Sequence, residues 1–104
     1  MNDDNPRALV LLSLQSALLG EISPNMSSVT CSWANNLLQV QVAIDCEIND
    51  EDKESLECIH SELLGLLPES WTVSVEFLEL KSSLKPTEKL LPYCVFKRRD
   101  VVVQ

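Results

Sequence analysis

The 104-residue chain has a formal net charge of −8, is 45% hydrophobic and contains two glycines, a profile that fits one globular domain, residues 1–104, and excludes a disordered chain. Its pI of about 4.4 argues against direct contact with nucleic acid, where affinity comes from Lys and Arg neutralising phosphates, and against anionic membranes. The balance favours a basic protein partner.

Asn5 followed by Pro6 predicts a helix start over roughly residues 6–20, with a capping side chain before a proline whose missing N–H costs nothing there. Leu11, Leu14, Leu18 and Ile22, with Val10 and Ala17 beside them, form the predicted buried stripe; Ser13, Ser16 and Gly20 mark the other side. The run does not read as a secretory signal. Asp3 and Asp4 outweigh Arg7 ahead of it, Ser13, Gln15 and Ser16 interrupt it, and no small-x-small cleavage site follows. It is also shorter than the ~20 residues of a membrane span, so the expected location is the cytoplasm.

A hairpin comes next. Val29, Cys31 and Trp33 alternate with Ser28, Thr30 and Ser32, and Leu38, Val40, Val42 and Ile44 with Gln39, Gln41 and Ala43, around Asn35-Asn36, which tolerate the positive φ of a tight turn. A two-residue turn pairs Ala34 with Leu37, and then sets Trp33 against Leu38, Cys31 against Val40 and Val29 against Val42. A slip of one residue would destroy every apolar match.

The segment "DCEINDEDKESLE" holds seven carboxylates, Asp45, Glu47, Asp50, Glu51, Asp52, Glu54 and Glu57, against Lys53 alone. Asn49 or Asp50 caps the predicted second helix, the acids suit its positive end, and Leu56, Ile59, Leu63 and Leu66 form its buried stripe until Pro68 stops it. Trp71, Val73, Val75 and Phe77 alternate as a third strand, with a bulge or bend expected near Phe77 where the apolar phase moves to Leu78 and Leu80. Residues 81–92 read as a loop, and "YCVFK", 93–97, as a fourth strand. The expected class is α+β in the order α-β-β-α-β-β, a two-layer sandwich with a mainly antiparallel four-stranded sheet and two helices on one face.

Catalytic and metal readings find little support. A calcium loop begun at Asp45 places Asp50 where glycine is needed and Leu56 where a bidentate Glu is needed. The four cysteines, Cys31, Cys46, Cys58 and Cys94, contain no close pair of the kind zinc takes, and buried thiols are expected for all four. His60 stands alone as a boundary residue beside Ile59 and Leu63. Gly20 and Gly65 cannot form a phosphate loop. No enzyme activity and no cofactor or metal are expected.

Charge distribution is the feature left over. Residues 45–62 carry eight acids and one base, residues 81–104 six bases and two acids. A bland account is a solvated helix face plus cross-strand pairs such as Glu76 or Glu79 with Lys97 or Arg98, each contributing only ~0–1 kcal/mol. The functional account is a negative patch that docks on a basic protein.

The stretch "PRALVLLSLQSALLGEISPNMSSVTCSW", followed by "DCEINDEDKESLECIHSELL", resembles short bacterial immunity proteins of polymorphic toxin and contact-dependent growth inhibition systems. The helix leading into "ALLGEISPN", the hairpin and the acidic helix start carry the likeness over roughly residues 7–70, and "VFKRR" is similar to the family's basic C-terminal strand; the chain departs from it by continuing into Val101-Val102-Val103. The resemblance implies a cytosolic antidote that binds the C-terminal domain of a toxin, a basic nuclease in the expected case; the acidic segment supplies the expected partner-facing acids, Asp45, Glu47, Asp50, Glu51, Asp52 and Glu54, with Glu57 at the margin. The alternative is a non-enzymatic structural or regulatory module, possible as a homodimer, using the polar hairpin face and the edge at Val101–Val103.

Overall fold

The computed structural model describes residues 6–79 and 91–97. Its elements are α1 (Arg7–Leu18), β1 (Met26–Ala34), β2 (Leu37–Ile44), α2 (Asp50–Leu66), β3 (Thr72–Glu79) and β4 (Tyr93–Lys97), the α+β class and order expected from the sequence. The hairpin has the expected register, with Ala34 opposite Leu37, Trp33 opposite Leu38, Cys31 opposite Val40 and Val29 opposite Val42. Asn35 and Asn36 take φ of 52° and 62°, the paired left-handed conformation that a two-residue turn needs to match strand twist.

The sheet is mixed, not mainly antiparallel. Its order is β3-β2-β1-β4; β1 pairs antiparallel with β2 and with β4, whereas β2 and β3 run parallel from Leu37 opposite Thr72 to Ile44 opposite Glu79. The cause lies in length. The 17 residues of α2 rise about 25 Å and the eight of β2 extend about 26 Å. The helix thus carries the chain back to the end where β2 began, and β3 sets out in the same direction, as a strand–helix–strand crossover requires.

The expected bulge near Phe77 is absent, since β3 keeps one register along its whole length. Leu78 lies on the opposite face from Phe77 and pairs with Ala43, which is fully buried; that face is covered there, so an apolar side chain fits without a bend. The irregularities fall elsewhere: Ser27 is an extra residue in β1 between Met26 and Ser28 against β2, and Val95 is an extra residue in β4 where Val29 and Thr30 oppose Phe96 and Cys94.

Both helices pack on one face of the sheet. Val10, Leu14, Ala17 and Leu18 of α1 meet Val29, Cys31, Leu38, Val40 and Val42 of the strands and Ile59 and Leu63 of α2 in one core, each large aliphatic contributing about 1.5–3 kcal/mol by leaving water. The core face of α1 is centred on Val10, Leu14 and Ala17, so Ser13 is buried with them instead of marking the outer side. No side chain caps α1; Pro6 occupies its cap position and the Pro6 carbonyl accepts from Val10 N–H at 2.9 Å. Asn5, the expected cap, lies outside the described residues, as do residues 80–90 and 98–104 with the loop and tail expected there. Just beyond α2, Leu67 joins the core in place of Leu66, which is exposed.

Candidate functional site

The acidic segment divides at Asp52. Asn49 caps α2: its Oδ1 accepts from Asp52 N–H at 2.7 Å, and the Asp52 carboxylate reaches back to Asn49 N–H at 3.4 Å, closing a capping box. The same carboxylate accepts from Ser23 Oγ at 2.8 Å and from Asn25 Nδ2 at 3.0 Å. Asp52 is 1% exposed. Burial pushes its carboxyl pKa up, but the hydrogen bonds from Asn25, Ser23 and Asn49 together outweigh burial and hold it below its ordinary value. Asp52, expected among the partner-facing acids, is therefore an internal tie between the α1–β1 loop and the start of α2.

Its six companions, Asp45, Glu47, Asp50, Glu51, Glu54 and Glu57, are all exposed. Asp45 and Glu47 sit on the loop into α2, and Asp50 and Glu51 in its first turn. Glu54, Glu57, Cys58, Ser61 and Glu62 follow at helical three- and four-residue steps, which places them on one outward face, opposite the buried line of Asp52, Ile59 and Leu63.

That face forms one wall of a groove of about 550 Å³. The other wall is the C-terminal end of α1, with Ser16, Ala17 and Leu19, and Glu21 just beyond it. Gly20, at φ 78°, turns the chain out of the helix in a conformation that costs other residues about 1–2 kcal/mol, and Glu21 N–H closes the turn on Leu18 O at 3.0 Å. Four glutamates, Glu21, Glu54, Glu57 and Glu62, thus converge on Cys58. Their charges raise the Cys58 thiol pKa, with Glu21 the largest cause, followed by desolvation, Glu54, Glu57 and Glu62. Glu21 was missed in the sequence because it lies far from Glu54 along the chain, and only the packing of α1 against α2 brings the two together. Glu62 was legible as an outward position, two helical turns beyond Glu54.

The remaining candidates have structural roles. His60 Nε2 lies 3.2 Å from Val73 O; a carbonyl only accepts, so the ring donates and ties α2 to β3. Cys31 is the one cysteine of the four that is buried, its thiol pushed up to about 11 by desolvation and then by Cys94; Cys46, Cys58 and Cys94 are exposed, contrary to expectation. The cross-strand pairs suggested by charge do not form with Lys97. β3 and β4 are opposite edges of the four-stranded order, about 14 Å apart at strand spacing; Arg98 is outside the described residues. Among the described residues twelve acids accompany three bases, Arg7, Lys53 and Lys97, and no helix is long and apolar enough to cross a membrane.

A family model described as MafI2 immunity protein matches residues 7–100. Comparison with curated proteins finds no match.

Proposed function

The chain belongs to the MafI2 immunity protein family, and from that premise we propose that it neutralises a toxin by seating the acidic outer face of α2 on a basic surface of the toxin's C-terminal domain. Membership supports the immunity role and implies a toxin as partner. The nature of the contact is our reading. The toxin is a nuclease of the polymorphic or contact-delivered kind, whose active site must attract phosphate and so carries positive potential. The immunity protein meets it in the cytoplasm and acts by occupancy, without chemistry of its own. The acids that face the partner are Asp45, Glu47, Asp50, Glu51, Glu54 and Glu57.

One observation carries this reading: carboxylates from two separate elements, Glu21 just beyond α1 and Glu54, Glu57 and Glu62 on α2, line one outward-facing groove. A fold has no need to gather like charges, which repel one another and weaken the compact state. Facing a positive cleft, the same arrangement steers encounter toward ~10⁸ M⁻¹s⁻¹ at low salt and rejects wrong partners.

The test is the association rate with the C-terminal domain of a candidate cognate toxin, measured across a range of salt. Replacing Glu54 and Glu57 together by Lys is expected to slow association about tenfold at low salt and to flatten its salt dependence. On-rates identical to wild type at every salt concentration rule out this face.

A further inference from the structure

The outer side of α1 is apolar where it ought to be wet. Leu9, Leu12, Ser16 and Leu19 follow at three- and four-residue steps along one face, and Leu12 and Leu19 are 63% and 78% exposed. An exposed leucine alone means little. Here the C-terminal half of the stripe, Ser16 and Leu19, is also a wall of the groove whose other wall carries Glu54, Glu57 and Glu62. An apolar ridge thus borders an acidic trough.

We propose that the groove between α1 and α2 is the seat for one basic, amphipathic segment of the toxin, its lysines or arginines set among Glu21, Glu54, Glu57 and Glu62 and its apolar side chains on Leu12 and Leu19. The inference rests on the neutralising function proposed above and deepens it by moving the centre of contact from the loop and first turn of α2 to the space between the helices. Charge complementarity selects the occupant. A second copy of this chain on a two-fold axis would bring eight glutamates face to face, whereas a cationic segment neutralises four. Such a segment also supplies what an acidic face lacks. Charge sets the rate of encounter, and buried apolar anchors set residence time.

Two measurements on the full chain with the toxin's C-terminal domain decide the matter. Alanine at both Leu12 and Leu19, exposed positions whose loss leaves the core intact, is expected to raise the dissociation rate about tenfold or more while leaving the association rate unchanged. Cys58 lies inside the groove and is exposed, so its alkylation by iodoacetamide is expected to fall in proportion to occupancy, with Cys94 on β4 as the unprotected reference. A complex in which Cys58 still alkylates at the unbound rate, or in which Cys46 on the loop is protected in its place, overturns the seat and leaves the neutralising function standing. An unchanged dissociation rate in the double alanine chain does the same. If the wild-type chain and the toxin domain form no complex, both readings fall. A toxin-independent dimer with Cys58 protected assigns the groove to a second copy and overturns the seat as stated.

Discussion

Asp52 and Glu54 stand two residues apart on α2 and present the same chemical group to opposite surroundings. Asp52 points inward and is 1% exposed, with its oxygens accepting from Ser23, Asn25 and Asn49. Glu54 points outward into a groove shared with three other glutamates. A step of two residues places the two carboxylates about 200° apart around the axis, and that rotation alone separates a group that holds the fold together from one the fold leaves available. The acidic character of the segment is therefore two properties superimposed. One is local and structural; the other is collective and faces outward.

The sharpest way to break this comparison is to remove the inner carboxylate. Asp52→Ala deletes half of the capping box and leaves the Ser23 hydroxyl and the Asn25 amide without their acceptor. A loss of about 3 kcal/mol is expected from the cap and the orphaned donors together, read as a lower urea midpoint with an unchanged slope. Asp52→Asn should cost about 1 kcal/mol. Its amide oxygen can still accept from Asn25 and Asn49, and its NH₂ can donate to Ser23 Oγ once that hydroxyl rotates. Equal losses for the two variants would mean that the charge of Asp52, not its geometry, is what matters.

The outer carboxylates should behave in the opposite sense. Glu54→Lys with Glu57→Lys is expected to change folding stability by no more than about 0.5 kcal/mol, although it slows toxin association. A large stability loss would show that these side chains are structural after all, and the contrast with Asp52 would disappear. Acid titration draws the same line at smaller amplitude. The folded-state pKa of Asp52 lies below its ordinary value of 3.8, so its charge contributes stability that is fully present above that pH. The contribution is lost as pH falls through the folded value. Unfolding curves recorded below pH 4 should be steeper in pH for the wild type than for Asp52→Asn.

How much of this was legible in the sequence depends on the range of the interaction involved. The hairpin could be read to the residue, because alternation of Val29, Cys31 and Trp33 against Leu38, Val40 and Val42 allows one register and Asn35-Asn36 supplies the turn. The cap of α2 was equally local: Asn49 and Asp52 have capping-box spacing. What that spacing could not show is that Ser23 and Asn25, more than 20 residues away, would close over Asp52 and withdraw it from the surface. The parallel pairing of β3 was within reach, since a strand, a long helix and a strand are the parts of a crossover unit. The hairpin's local signal favoured the antiparallel reading, and only the matched lengths of α2 and β2 decide the direction. Glu21 had no local signal. Its place in the groove follows from the crossing of two helices, which is a property of the core.

The smallest expected effect is also the most direct report on that crossing. Cys58 has its thiol pKa raised above the ordinary 9.0 with Glu21 as the largest single cause, ahead of Glu54, Glu57 and Glu62 on its own helix. Removing one charge at a time should lower the thiol pKa, increase the thiolate fraction at pH 8 and so speed alkylation, because the thiolate is the reacting species. Glu21→Gln should accelerate Cys58 more than Glu54→Gln, Glu57→Gln or Glu62→Gln. Added salt should shrink all four differences, since the charges are exposed and screened within about 10 Å at 0.1 M. Asp52→Asn should leave Cys58 unchanged, its carboxylate being on the far side of the helix. If Glu21→Gln proves no faster than the variants on α2, the end of α1 does not close on Cys58, and the groove lacks the second wall on which its role as a seat depends.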